Sequence, residues 1–173
     1  MPEQELRDGL MIGPAMPEEM DAVCEIAEIA WEPIHEAMIE SVGTDIHDAI
    51  SADWKEKKAE QIRGQFRRNA DHVLAIREGE TVVAFVTFGC DASKSLGTIH
   101  NNAVDPKFQG RGIATAMYSH VLDLFRKAGL KYASVGTGLD PGHLPARRAY
   151  EKAGFNLKQE DVTYYRRLSE SQE

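Results

Sequence analysis

The sequence predicts an α/β fold: a mixed, mostly antiparallel central sheet, helices on both faces, and one parallel βαβ crossover. Three observations carry the prediction. Residues 72–77 and 81–88 are apolar runs joined by Glu78-Gly79-Glu80, the pattern of two antiparallel strands around a tight turn. Residues 98–104, 112–128 and 132–137 read as strand, helix and strand, and such a unit closes as a right-handed crossover between parallel strands. Residues 18–31 and 112–128 repeat apolar side chains at three- and four-residue spacing, which gives each helix one buried face.

In chain order, residues 10–15 read as a short edge strand that Pro14 ends. Pro17-Glu18-Glu19 opens the helix over 18–31, with acids in the first turn where the helix dipole favours them. Residues 45–69 read as a second, strongly charged helical region whose buried side holds Ile46, Ile50, Trp54, Ile62 and Phe66. Within 81–88, Val82 to Val86 are continuously apolar, which suits a central strand covered on both faces. Cys90 to Gly97 reads as a polar loop, and Asp105-Pro106 stops the strand over 98–104. The helix over 112–128 ends at Gly129. A turn is expected over 140–144 and a regular helix from Pro145 to Ala153, because Pro145 would forfeit a backbone bond in a helix begun at Asp140. A last strand over 162–167 and a frayed tail over 169–173 complete the order. No repeat, low-complexity tract or linker interrupts it, so residues 1–173 read as one domain.

Composition narrows the function classes. The chain has 173 residues, 42% of them hydrophobic, enough for a core without a disulfide or metal staple. Twenty-eight acidic against 20 basic residues give a charge of -8, a surface that repels phosphate polymers, so no nucleic-acid partner is expected. The two cysteines, Cys24 and Cys90, fit neither a disulfide scaffold nor a metal site. No signal-peptide pattern opens the sequence and no apolar run is long enough to span a bilayer, so the expected setting is the cytoplasm, away from the membrane.

The chemically informative stretch runs from Ala103 through Val104, Asp105 and Pro106 to Gln109-Gly110-Arg111-Gly112-Ile113-Ala114-Thr115. A strand stops at a proline and re-enters a helix through two glycines, which let a ligand approach the backbone. The amides of residues 110–115 lack partners within the helix and meet the positive end of its dipole, a ready site for a phosphate or pyrophosphate. A P-loop would need Gly-Lys-Ser/Thr, and a dinucleotide fingerprint would need Gly or Ala at Thr115 and an acid ending the next strand, where Thr137 and Gly138 stand.

Gln109-x-x-Gly112-x-Ala114 resembles the Gln/Arg-x-x-Gly-x-Gly/Ala signature of the GNAT superfamily of N-acetyltransferases. Downstream, Ala146 to Phe155 is similar to that family's second motif, a helix carrying a tyrosine that leads into Gly-Phe. The two motifs span residues 97–155, and the element order around them matches as well.

The resemblance implies acetyl-CoA as co-substrate, no metal, and transfer of the acetyl group to a primary amine by direct attack in a ternary complex. The acceptor is expected to be a small molecule; a protein or peptide acceptor, or a non-catalytic acyl-CoA sensor on the same fold, are the alternatives. It further implies that the amides of Gly110 to Thr115 take the pyrophosphate, with Gln109 and the Arg111 side chain beside them. The pantetheine would pair with backbone near Ala103 and Val104, where an N–H would also meet the acetyl carbonyl and steady developing negative charge. Tyr150 occupies the family's tyrosine position and is the candidate acid for the CoA sulfur. A homodimer is a family-level expectation.

Two positions depart from the pattern. His143 stands where the family commonly has an asparagine and would hold the cofactor in its place, sharing a helical face with Ala146 and Tyr150. The strand ending Val135-Gly136-Thr137-Gly138 carries no glutamate base, which leaves His100, on the preceding strand and sharing a face with Asn102, as the candidate base. Asp91, Glu36 and Asp140 are weaker candidates. Trp31 and Trp54 are expected to pack the helices around the acceptor groove, and Arg63, Arg67 and Arg68 to form a solvated helix face.

Overall fold

The computed structural model describes residues 2–168. Six strands lie in the order β1 (Gln4–Arg7), β2 (Leu10–Pro14), β3 (Val73–Glu78), β4 (Thr81–Asp91), β5 (Leu96–Val104) and β6 (Tyr132–Val135). Every neighbouring pair is antiparallel except β5 and β6, which are parallel. Helices α1 (Met20–Val42), α2 (Thr44–Ser51) and α3 (Trp54–Arg68) separate β2 from β3; α4 (Ile113–Lys127) makes the crossover from β5 to β6, and α5 (Leu144–Lys152) follows. One core layer packs Val23, Ile26 and Ile62 of α1 and α3 against Val73, Ala75, Phe85 and Ala103 of the sheet. The other packs Met117, Tyr118 and Val121 of α4 and Tyr150 of α5 against Leu74, Ile76, Ala84, Val86 and Ile99. Helices thus cover both faces, as the apolar run of β4 requires. Among the described residues, no helix is long and apolar enough to cross a membrane.

The structure corrects several sequence expectations. Strand β1 was not foreseen, because Gln-Glu-Leu-Arg has no apolar alternation; it is paired to β2 through Asp8-Gly9, both at positive φ (48° and 78°), a two-residue hairpin turn. Helix α1 passes Trp31 and continues through Pro33 to Val42; the carbonyl that Pro33 leaves unbonded belongs to Ile29, an exposed residue that water reaches. The charged region over 45–69 is two helices broken at Ala52-Asp53. The polar loop shrinks to residues 92–95, where the Asp91 carboxylate accepts bonds from Ser93 Oγ and the Lys94 amide and closes a β4–β5 hairpin. Helix α5 starts at Leu144 after one short turn at Pro141–His143, close to the expected geometry.

The strand expected over 162–167 is absent: those residues form neither helix nor strand. Arg167 instead reaches the α1–α2 junction, donating to both oxygens of Asp45 (2.6 and 2.7 Å) and to the Val42 carbonyl (2.9 Å). Those bonds hold the Asp45 carboxyl down to about 2. The segment is thereby moored on the helical layer, and β6 remains the sheet edge. The expected frayed tail over 169–173 lies outside the described residues.

One buried ion pair ties the first helix to the sheet. Arg77 donates through Nε and Nη2 to the two Glu19 oxygens at 2.5 and 2.6 Å, and neither side chain is more than 9% exposed. Burial raises the Glu19 pKa, but the bonds from Arg77 and the Met16 amide outweigh it and leave the carboxyl below its ordinary value. Glu19→Ala leaves the buried guanidinium only the Glu3 carboxylate and the Pro14 carbonyl, both at 3.0 Å, and should cost about 2 kcal/mol of stability in urea melts at pH 7. That contribution is present above the ordinary carboxyl pKa and is lost as pH falls through the lowered folded value.

Candidate active site

Strands β5 and β6 stay paired from Leu96 with Tyr132 to Ile99 with Val135. Beyond that point β6 ends while β5 runs on to Val104, so the strands part and a cleft opens. A cavity of about 530 Å³ occupies it, bounded by β5, the turn into α4, the start of α5 and the Ala30, Trp31 and Ile34 face of α1.

At one end of this cavity lies the turn before α4. Gly110 and Gly112 stand at φ 78° and 75°, left-handed values that a side chain at either position would strain. The first bond of the helix runs from the Ala116 amide to the Gly112 carbonyl at 3.1 Å, and the amides of Ile113, Ala114 and Thr115 donate to no acceptor among the described residues. Gln109 donates its side-chain amide to the Val104 carbonyl at 3.2 Å and so fastens the turn to the end of β5.

The cavity's other end is a tyrosine pair bridged by an asparagine. Tyr118 Oη donates to Asn102 Oδ1 at 2.6 Å, while Asn102 Nδ2 lies 3.0 Å from the His100 carbonyl and 3.1 Å from Tyr150 Oη. Tyr150 Oη also donates to Asn102 Oδ1 at 3.2 Å, a longer second bond on an oxygen whose two lone pairs can take both tyrosines, and the hydroxyl borders the cavity. Both rings are buried, with centroids 4.7 Å apart. Burial pushes the Tyr150 hydroxyl up more strongly than its bonds to Asn102 and Tyr118 pull it down, and burial drives Tyr118 well above its ordinary value. Both are phenols, not phenolates, at neutral pH.

Of the residues singled out in the sequence, Ala103, Val104, Gln109, Gly110, Gly112, Ile113, Ala114, Thr115, His143, Tyr150 and His100 all border this cavity. The Arg111 side chain does not: it turns outward to Glu78 at 2.6 Å, leaving only its backbone in the turn. His143 is half-buried, its Nδ1 2.5 Å from Asp140 Oδ2, and the pair caps the entry to α5. That places His143 beside Ala146 and Tyr150 at the cavity wall, with its ring already engaged by Asp140.

His100 departs from expectation. Val86 pairs with Asn102 and Phe88 with Ile99, so β5 carries one residue more than β4 between the two pairs. This bulge breaks the alternation, and His100 does not share the face of Asn102. Its Nε2 lies 2.9 Å from where a Cβ on Gly89 would stand, on the α3 side of the sheet. There it borders a second cavity, of about 950 Å³, with Gln65, Arg68, Thr87 and Asn101. His100 thus touches both cavities. Burial, and then the charges of Arg68 and His72, hold its pKa below the ordinary imidazole value, which keeps it neutral at pH 7.

Sequence reasoning missed Tyr118 and Ile34. The signal for Tyr118 was present, since a tyrosine beside the buried stripe of Ile113, Met117 and Val121 needs a hydrogen-bond partner for its hydroxyl. Trp31 does border the cavity, whereas Trp54 stacks on His35 with centroids 4.1 Å apart.

The sequence matches the acetyltransferase (GNAT) family over residues 24–155. The chain belongs to the GNAT acetyltransferase family. An uncharacterized N-acetyltransferase of Methanocaldococcus jannaschii, MJ1207, is 27% identical over 112 residues, covering 60% of this chain and 49% of that protein. The chain therefore spans about half the length of that curated relative. Among solved structures, the PaiA N-acetyltransferase of Thermoplasma acidophilum in complex with coenzyme A superposes with a TM-score of 0.66 at 15% identity, covering 89% of this chain and 94% of that one. A GNAT family acetyltransferase of Brucella melitensis in complex with acetyl-CoA gives 0.57 at 17% identity, covering 90% and 96%. Those two neighbours hold coenzyme A and acetyl-CoA, and this chain's residues fit such a group. Unbonded amides and left-handed glycines suit its phosphates, and the cavity runs from them along β5 to a protonated phenol.

Proposed function

We propose that the chain is one acetyl-CoA-dependent N-acetyltransferase domain that acetylates a primary amine of a small molecule in the cytoplasm, with no nucleic acid, membrane or metal taking part and as a homodimer. The observation that carries this reading is a single cavity with free helix-start amides at one end and the Tyr150 hydroxyl at the other. Acetyl-CoA held there supplies an activated thioester carbonyl. The backbone of Gly110 to Thr115 binds its phosphates, and β5 backbone near Ala103 and Val104 orients the arm. His143 braces the cofactor from the turn that leads into α5. Tyr150 Oη holds the proton that the departing sulfur requires, and His100, neutral and open to the α3 side, takes the proton that the amine must lose. Much of the acceleration comes from holding the two reactants together in a closed site.

The test is thiol release from acetyl-CoA with a pooled library of amines. Release that depends on an amine supports the reading. Tight acetyl-CoA binding without release for any amine or peptide would leave a sensor instead. For His100→Ala, the acid limb of the kcat/KM profile, which should lie below the ordinary imidazole pKa because the group must be neutral to act, is expected to disappear. A profile identical to that of the native protein removes His100 as the base.

A further inference from the structure

The α3-side cavity carries charges of an unusual kind for this chain. Helix α3 has six basic residues, and four of them are paired: Lys55 with Glu28 at 2.6 Å, Lys57 with Asp53 at 2.7 Å, Arg63 with Asp21 at 2.6 Å, and Arg67 with Glu60. Lys58 and Arg68 have no carboxylate partner among the described residues, although the protein carries 28 acidic side chains. Arg68 lines the cavity next to His100, and Lys58 reaches its edge through Asn101, which lines it.

Lys58 is the more telling of the two. Its Nζ donates to Asn101 Oδ1 at 3.0 Å and sits 4.4 Å from the centre of the Trp31 ring, between the two cavities. The ammonium is half-buried, and loss of water pushes its pKa down, with the Asn101 oxygen and the Trp31 ring but no carboxylate to offset the cost. An ammonium has three donors, and the protein engages one of them with Asn101. Asn101 follows His100 directly, and neighbouring strand residues are about 3.3 Å apart. The ammonium is thus bonded to the residue next to the group that would receive the amine proton, and both of those strand residues line the α3-side cavity.

We propose that Lys58 is the anchor for a carboxylate on the acceptor, so that the amine substrate is a small amino acid or amino-acid-like molecule, entering through the α3-side cavity with its amino group at His100. This deepens the acetyltransferase reading and rests on it. Arg68, ten residues along α3 and exposed, makes the other end of the cavity positive and adds attraction without direct contact. A carboxylate close to the amine pairs with Lys58 and restores what burial removed, while Asn101 keeps the ammonium aimed. An acceptor of the same shape without the carboxylate leaves Lys58 uncompensated. A phosphate in place of the carboxylate is the same anion chemistry from another source.

The experiment compares matched acceptors: ethylamine with β-alanine, phenethylamine with phenylalanine, putrescine with ornithine, and O-phosphoethanolamine as the phosphate member. Thiol release gives kcat/KM for the native protein, Lys58→Met and Arg68→Gln. The methionine keeps an aliphatic stem against Trp31, and its acetyl-CoA affinity and melting curve are measured alongside. The native protein should favour the carboxylate member by at least about tenfold. Lys58→Met should bring the ratio near one with acetyl-CoA affinity unchanged, and Arg68→Gln should reduce it only partly. O-Phosphoethanolamine outrunning β-alanine would assign the anchor to phosphate and overturn the carboxylate. Equal or faster turnover of the plain amines, or a ratio that survives Lys58→Met, overturns the proposal while the acetyltransferase reading stands. Tryptophan fluorescence of the CoA-loaded protein, titrated with glycine and with β-alanine, supplies a readout independent of turnover. Saturable binding that Lys58→Met abolishes is expected, and no binding of either overturns the proposal. Failure of the native protein to bind acetyl-CoA would overturn the reading beneath it instead.

Discussion

Gly112→Glu is expected to weaken acetyl-CoA binding by about 100-fold or more while the protein keeps its native melting transition. Gly112 sits at φ 75° as the residue from which α4 starts, so any side chain there costs about 1–2 kcal/mol of backbone strain. Space is not the obstacle. A Cβ would approach Arg7 Nη1 at 2.5 Å, and that is the far end of a flexible side chain able to swing away. The decisive effect is electrostatic: a carboxylate placed among amides that await phosphate oxygens competes for them and repels the diphosphate. Gly112→Ala carries the strain without the charge and should lose less than about tenfold. Titration calorimetry with CoA separates the two, and glutamate binding as well as alanine would remove the amides of this turn from the phosphate site.

The turn was legible in the sequence because its chemistry is local. Gly110 and Gly112 between a proline-stopped strand and a helix specify positive φ and free amides before any tertiary contact is known. The crossover was legible for the same reason, each of its three elements having its own period. What escaped depended on partners far along the chain. The bulge in β5 is a matter of register against β4, and nothing in His100-Asn101-Asn102 announces that one residue will be unmatched. Strand β1 exists because β2 offers it an edge, although Asp8-Gly9 was a hairpin signal available to a closer reading. The segment over 162–167 has strand-like residues, yet the Arg167 fork on Asp45, 122 positions earlier, draws it to the helices. The Arg111 side chain was placed at the phosphates on proximity in sequence and is held instead by Glu78.

Charge shows the same division between local and distant causes. A total of -8 argues against phosphate-bearing partners at long range, where only the sum is felt. Inside the cleft the sum does not matter, because unbonded amides present fixed partial charges at contact distance. The proposed anion site is thus made from backbone in a chain with 28 acidic against 20 basic side chains, and Lys58 and Arg68 are the cations of α3 that no carboxylate pairs among the described residues.

Tyr150→Phe should reduce kcat by about 100-fold, with acetyl-CoA affinity changed less than about threefold, when single-turnover measurements show chemistry to be limiting. The phenylalanine keeps the ring against Tyr118 and Phe155, so packing is preserved and only the proton is lost. Because burial raises the Tyr150 pKa, the hydroxyl stays protonated through neutral pH; the alkaline limb of the native kcat profile, where an acid loses its proton, should lie above the ordinary tyrosine value. Tyr118→Phe tests the geometry behind that proton. Without the 2.6 Å bond from Tyr118, the Asn102 amide whose Nδ2 donates to Tyr150 Oη loses the contact that orients it, and the hydroxyl loses its aim. A loss of about tenfold in kcat is expected from Tyr118→Phe in the native background and none when Phe already stands at 150, since the two substitutions then remove one function twice. Equal losses in both backgrounds would mean that Tyr118 acts through packing alone, and unchanged turnover in Tyr150→Phe would mean that the sulfur takes its proton from elsewhere.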